Sequence, residues 1–110
     1  MGLLDFLKGP DINEGVQECS KTEGSILVDV REKDEFGEGH IPSAVNIPLS
    51  NITTITSILS NKETPLFVYC LSGARSKQAE SIFKKLGYST VKNIGGMNRY
   101  QGPIDKNTRK

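Results

Sequence analysis

The cysteine at position 70 stands between two segments whose patterns predict different secondary structures. Residues 66–69 form a short apolar run, which is typical of a buried strand. After them, apolar residues recur at the spacing of one helix face, and Gly87 then supplies a helix stop. The apolar residues are Ala79, Ile82, Phe83 and Leu86. A thiol at the carboxyl end of a buried strand, followed by a tight loop into a helix, is placed to act as a nucleophile.

The loop itself, CLSGARS at residues 70–76, contains several groups that would ionise this thiol. The first turn of the next helix has unpaired N–H groups and the positive end of the helix dipole. Gly73 permits a positive φ, so that successive N–H groups can turn inward around an anion. Arg75 adds a fixed positive charge, and Ser72 and Ser76 offer hydroxyl donors. A lone cysteine is more often buried and inert, but this combination favours a nucleophilic thiolate.

Four segments of the chain resemble, in order, the motifs of rhodanese domains. They are ILVDVREKDEF at 26–36, GHIPSAVNIP at 39–48, VYCLSGARS at 68–76 and NIGGMNRYQG at 93–102. Together they span most of the chain, and the pattern resembles most the single-domain sulfurtransferases of bacteria. The third segment contains the cysteine loop, so the resemblance and the chemistry meet at the same residues.

The resemblance implies roles for individual residues. Cys70 would accept a sulfur atom, and Arg75 would complete the cradle around it. The other residues of the sulfur-binding loop would be Leu71, Ser72, Gly73, Ala74 and Ser76. Asp29 and Arg31, at the end of a predicted strand, would lie near the loop and help to hold it. An ordinary ion pair at a strand end is the alternative for these two, and it is compatible with such a supporting role.

The element order predicts an α/β fold with a parallel sheet and helices on both faces. Apolar runs predict strands at 25–30, 44–47, 66–69 and 90–94, and the resemblance implies a rhodanese-like sheet of about five strands. The further strand would lie near Asp11. Asp11 is equally suited to cap a helix bearing Ile12, Val16 and Cys19. A second helix, after Ser50 or Asn51, would bury a stripe formed by Ile52, Ile55, Ile58 and Leu59.

Three segments follow along the chain. We expect an N-terminal extension at residues 1–10, a rhodanese-like domain at 11–103 and a polar tail at 104–110. The extension carries Leu3, Leu4, Phe6 and Leu7, which could lie on a membrane or a partner but more often dock on their own domain. Near the end of the domain, Gly95 and Gly96 match the closing motif of the family. A tryptophan usually follows that motif, whereas here Tyr100 is the nearest aromatic residue.

Composition excludes several classes of function. Fourteen basic and thirteen acidic residues among 110 give no charge excess that would attract nucleic acid or an anionic membrane. Two cysteines, outside any Cys/His cluster, predict neither a disulfide framework nor a metal site. No apolar run has transmembrane length, and the first ten residues make a poor signal peptide. We therefore expect a cytoplasmic protein that needs no cofactor.

Two other residues could take part in chemistry. His40 could act as a general base, with Glu38 as its partner. The family resemblance, however, implies that the motif containing His40 is structural. We therefore expect His40 to be a hydrogen-bonded scaffold residue. Cys19 could resolve an oxidised Cys70, although a small buried apolar side chain is its more ordinary role.

Three hypotheses of function remain. The first is a thiosulfate sulfurtransferase, which moves sulfur from thiosulfate or a protein persulfide to cyanide or a thiol through a Cys70 persulfide. The second is a phosphatase or arsenate reductase, but four residues separate Cys70 from Arg75 where the phosphatase pattern has five. The third is a non-catalytic module that carries persulfide or binds a partner protein.

Overall fold

The computed structural model describes residues 9–106, so the predictions for Leu3, Leu4, Phe6 and Leu7 lie outside the described residues. Within that range, four parallel strands form a single sheet in the order β2–β1–β3–β4. They are β1 (Ile26–Asp29), β2 (Val45–Asn46), β3 (Leu66–Cys70) and β4 (Val91–Gly96). The predicted parallel α/β fold is therefore confirmed.

The predicted strand count of about five is wrong for residues 9–106, where the sheet has four strands. The proposed extra strand, near Asp11, is replaced by the start of helix α1 (Ile12–Lys21). The Asp11 carboxylate accepts a hydrogen bond from the Asn13 N–H at 2.9 Å, which caps this helix. A capped helix start and a strand need different backbone angles, and here the local capping signal decides the outcome.

The remaining helices are α2 (Lys33–Glu38), α3 (Ile55–Ile58) and α4 (Ala74–Lys85), with 3₁₀ turns at Leu49–Thr54 and Met97–Arg99. The helix predicted after Ser50 is interrupted, because Asn51 has a non-helical backbone (φ −138°, ψ 41°). Its apolar stripe is consequently incomplete: Ile52 and Ile55 are buried, whereas Ile58 is 51% exposed.

Successive residues of a strand point to opposite faces of a sheet, and β3 supplies apolar side chains to both. On one face, Val68 and Cys70 pack with α3 and α4; the largest members of that core are Phe83, Tyr88, Ile47, Ile55 and Leu66. On the other face, Phe67 and Tyr69 pack with α1, and the rest of that core is Ile12, Leu27, Ile41 and Ile94. A strand buried on both faces requires helices on both sides, as predicted.

The part of the predicted polar tail that the structure describes is attached to the domain. Asp105 exchanges two backbone hydrogen bonds with His40, at 2.8 and 2.9 Å. No helix between residues 9 and 106 has both the length and the apolar character needed to cross a membrane.

Candidate active site

The loop that follows β3 is shaped by Gly73. Its φ of +99° lies in the left-handed region that side chains disfavour, and it directly precedes the first residue of α4. This turn brings the first N–H groups of α4 back toward the end of β3. The sulfur of Cys70 lies inside the turn, and the residue is 0% exposed.

Donors of the loop surround the Cys70 sulfur. The N–H groups of Gly73 and Ser76 donate to Sγ at 3.0 and 3.3 Å, and the Ser76 hydroxyl oxygen lies 3.5 Å away. Burial is the largest single influence on the pKa of the Cys70 thiol and raises it. The Ser76 hydroxyl and the N–H groups of Ser76, Gly73 and Ser72 together outweigh burial, so the pKa is lowered. This arrangement favours the thiolate.

Arg75 is held by an acidic partner from another helix. Its guanidinium donates two hydrogen bonds to the Glu35 carboxylate on α2, at 2.8 and 3.0 Å. These bonds are the main reason why the pKa of Glu35 falls to about 2. From the sequence, we expected Arg75 to complete the ring of donors around the sulfur. In the structure the guanidinium is bonded to Glu35 and acts on Cys70 through its charge, so that it ties the loop to α2.

Asp29 and Arg31 form a buried ion pair at the end of β1. The Arg31 Nη2 atom lies 2.9 Å from Asp29 Oδ2, and it donates a second bond to the Gly39 carbonyl oxygen at 2.6 Å. Burial is the largest influence on the pKa of Arg31 and lowers it, but the bond to Asp29 and its charge produce a net rise. The pair joins the two ends of α2, which lies between residues 31 and 39. It therefore positions the helix that carries Glu35.

The other predicted loop residues form its rim. Leu71 is 47% exposed, and its carbonyl oxygen accepts a bond from the Asn98 N–H at 3.0 Å. Ser72 is exposed, and Ala74 is the first residue of α4. The loop therefore presents a mixed apolar and polar surface over a buried sulfur atom.

Three residues near the loop were missed by the sequence analysis: Glu35, Asn93 and Asn98. Asn93 Oδ1 accepts a bond from the Ser76 hydroxyl at 2.7 Å. All three lie in the segments at 26–36 and 93–102 that resemble the family, but no feature of those segments linked them to the cysteine loop. Only the arrangement of the strands reveals these contacts. The closing motif also has a role that was not foreseen. A Cβ on Gly96 would lie 2.5 Å from the Leu71 carbonyl oxygen, so Gly96 lets the loop backbone approach β4.

His40 and Cys19 lie in structural surroundings. The His40 ring stacks on Phe36 with centroids 3.8 Å apart, and its Nδ1 lies 2.8 Å from the Phe36 carbonyl oxygen. These contacts are those of a scaffold residue. Cys19 packs in the core on the α1 face, opposite to the face of Cys70, and burial raises the pKa of its thiol. That placement fits the small apolar role rather than a resolving thiol.

Comparison with known proteins places this site in a family. The profile of the Rhodanese-like domain matches residues 13–102, and the chain therefore belongs to the rhodanese-like family. A solved rhodanese structure with anions from Escherichia coli superposes with a TM-score of 0.68 at 32% identity, over 74% of this chain and 98% of that one. A protein from Bacillus halodurans superposes with a TM-score of 0.73 at 30% identity, over 94% of this chain and 81% of that one.

Curated relatives include proteins named for sulfur transfer. The chain is 35% identical over 71 residues to the thiosulfate sulfurtransferase PspE of Escherichia coli, a match that covers 64% of this chain and 68% of PspE. It is 34% identical over 108 residues to the adenylyltransferase and sulfurtransferase uba4 of Ogataea parapolymorpha. That match covers 96% of this chain but only 28% of uba4. Sulfur transfer is thus an activity of the family to which the chain belongs.

Proposed function

We propose that the protein is a sulfurtransferase in which Cys70 carries the transferred sulfur as a persulfide. The observation that carries the proposal is the surroundings of the Cys70 sulfur. The sulfur is buried, and it accepts hydrogen bonds from the N–H groups of Gly73 and Ser76. The pKa of the Cys70 thiol is lowered. A thiolate held in this way is a nucleophile that needs no separate base.

In the first step the Cys70 thiolate attacks the outer sulfur of a donor. With thiosulfate, a bond forms between Sγ and that sulfur while the bond to the sulfite sulfur breaks. The sulfite leaves with the electron pair of the broken bond, and the new persulfide bears one negative charge on its outer sulfur. The inward-facing N–H groups of the loop would stabilise this charge, as an oxyanion hole does for oxygen.

In the second step an acceptor nucleophile, cyanide or a thiolate, attacks the outer sulfur. The bond between the two sulfurs breaks, and its electron pair returns to Sγ as the thiolate. With cyanide the product is thiocyanate. Neither step requires a metal or an organic cofactor.

Sulfur loading is the direct test of this proposal. The protein is treated with thiosulfate, or with a low-molecular-weight persulfide, and its intact mass is measured. We expect a gain of one sulfur atom on Cys70 that cyanide removes. Cys70→Ser should gain none, whereas the matched control Cys19→Ser should load as the native chain does. Failure of every donor to load Cys70 would refute the proposal.

A protein persulfide is a donor of particular interest. Leu71, the residue that follows Cys70, is 47% exposed, so a partner protein could contact the loop there. The positive charge of the loop arginine, Arg75, is largely satisfied by Glu35. Thiosulfate, a dianion, therefore gains little from that charge, and we expect it to be a weak donor.

The phosphatase alternative receives less support from this geometry. A phosphatase uses its loop arginine to bind phosphate oxygens, whereas the Arg75 guanidinium is bonded to Glu35. Turnover of an aryl phosphate that depends on Cys70 would reverse this ranking.

A further inference from the structure

The Ser76 hydroxyl is surrounded by three acceptors, although it has one proton to donate. Its oxygen lies 2.7 Å from Asn93 Oδ1, 3.1 Å from the Gly73 carbonyl oxygen and 3.5 Å from Cys70 Sγ. Ser76 is 0% exposed, so bulk water does not relieve the competition. The direction of this one proton decides whether the Cys70 sulfur receives a hydroxyl donor.

Asn93 is held in place to receive that proton. It belongs to β4, next to β3 in the sheet, and its backbone N–H donates to Glu80 Oε2 at 3.2 Å. Its Oδ1 also accepts the Gly95 N–H at 3.0 Å. Because that N–H needs an acceptor, the side-chain atom facing Ser76 and Gly95 is the oxygen and not the amide nitrogen. Asn93 therefore presents a fixed acceptor to the Ser76 hydroxyl.

The charge on the sulfur determines which acceptor is preferred. A neutral thiol is a weak acceptor, and it can instead donate its own proton to the Ser76 oxygen while that hydroxyl donates to Asn93. A thiolate is a much stronger acceptor, because hydrogen bonds to charged groups are about twice as strong as neutral ones. Rotation of the hydroxyl would then move its proton from Asn93 toward Sγ. In a persulfide the charge lies on the outer sulfur, so Sγ is again neutral and the proton returns to Asn93.

We propose that Asn93 is a positioning residue that competes with the Cys70 sulfur for the Ser76 proton and so favours the states in which Sγ is neutral. Those states are the thiol and, if the proposed function holds, the persulfide. Asn93 thereby makes the thiolate less stable and more nucleophilic, and it makes the same thiolate a poorer leaving group when the persulfide is discharged. Asn93 would therefore favour attack of the thiolate on the donor and disfavour release of the sulfur to the acceptor.

Substitution of Asn93 or Ser76 by alanine changes no charged side chain. Two cations, Lys77 on α4 and Arg99, line the pocket that Ser72, Gly73 and Asn93 also line. Arg75 on α4 is paired with Glu35 on α2, and Asp29 at the end of β1 acts on Arg75 through its charge. Glu80 on α4 binds the backbone of β4 at position 93. Asn93→Ala also removes the acceptor of the Gly95 N–H, and this loss is common to both Ser76 backgrounds. The part of the Asn93→Ala effect that depends on Ser76 therefore reports the hydroxyl.

The test is a double-mutant cycle on thiol ionisation. Alkylation of Cys70 by iodoacetamide is followed as a function of pH in a Cys19→Ser background, so that a single thiol reacts. Asn93→Ala should make alkylation at acid pH about two- to threefold faster. The thiolate population should rise about three- to tenfold, because the thiolate gains the hydroxyl donor, and the lower nucleophilicity of that thiolate offsets about half of the rise on a logarithmic scale. Ser76→Ala should make alkylation slower, and the double variant should match Ser76→Ala. Acceleration by Asn93→Ala that persists without Ser76, or no acceleration at all, would overturn the inference.

Asn93→Asp serves as the second variant, because it keeps an acceptor for both the Ser76 hydroxyl and the Gly95 N–H. Its added charge should slow alkylation at acid pH, and the slowing should be larger with Ser76 present than in the Ser76→Ala background. Equal slowing in the two backgrounds would contradict the proposal even if Asn93→Ala failed to fold.

A single-turnover measurement tests the second half-reaction, in which the persulfide is discharged. Discharge of the loaded persulfide by cyanide should be faster in Asn93→Ala than in the parent. If no donor loads Cys70, the proposed function fails, whereas the alkylation cycle still decides the competition for the proton.

Discussion

The ion pair between Glu35 and Arg75 provides a quantitative test of how the loop is held. Replacing Glu35 by glutamine keeps the size of the side chain but removes the charge that Arg75 faces. Both partners are about one third exposed, with relative side-chain exposures of 33% for Arg75 and 32% for Glu35. The pair connects α2 to the first turn of α4, so its loss should loosen the loop around Cys70 as well as reduce stability.

The magnitude follows from the pKa of Glu35, which falls from 4.5 to about 2 in the folded protein. A pKa shift of that size corresponds to about 3 kcal/mol of stabilisation for an ion pair that is fully shielded from solvent. Solvent screening at one-third exposure reduces this to about 1 kcal/mol. Because the pKa is lower in the folded state, the stabilisation is complete above the unfolded pKa. It is lost as the pH falls toward the folded value.

Denaturant unfolding as a function of pH measures this term. We expect Glu35→Gln to lower the free energy of unfolding by about 1 kcal/mol at neutral pH. The difference from the parent should shrink toward zero between pH 4.5 and about 2. Glu38→Gln, an equal charge change at an exposed position of the same helix, is the matched control and should have a smaller effect. A deficit in Glu35→Gln that is the same at both ends of this pH range would show that the ion pair is not its cause.

Three further outcomes are expected. Gly96→Ala should destabilise the protein by about 1–3 kcal/mol and slow sulfur loading, since the Cβ of the alanine would lie 2.5 Å from the Leu71 carbonyl oxygen. Unchanged unfolding and loading would contradict this close approach of the loop to β4. Phe83→Ala empties a fully buried site beside Tyr88. It should lower the free energy of unfolding by about 3–5 kcal/mol, measured by thermal or denaturant unfolding. A decrease of less than about 1 kcal/mol would mean that the core collapses into the vacated space. Cys19 should be alkylated more slowly at neutral pH than a free cysteine, because burial raises its pKa, and faster reaction would argue against that burial.

Local signals were enough to predict the strand, loop and helix around Cys70. The apolar run at residues 66–69 forms most of β3. The apolar stripe marks the buried side of α4, where Ala79 and Phe83 are 0% exposed. Gly73 was predicted to turn the loop, and its φ is +99°. These features depend on residues close together in the chain, so pattern and backbone preference suffice. Where two signals disagreed, as at Asp11, helix capping prevailed over the strand implied by the family resemblance.

The sequence by itself determined that a cysteine would sit on a glycine turn at the start of a helix, in a parallel α/β fold. The tertiary structure alone decided which side chains surround that turn. Glu35 meets Arg75 across 40 residues, and Asn93 meets Ser76 across 17. Such partners depend on the order of the strands and on the packing of α2 and α4 against them. No local pattern encodes that order, because each pairing follows from the assembled sheet and not from either residue's neighbours.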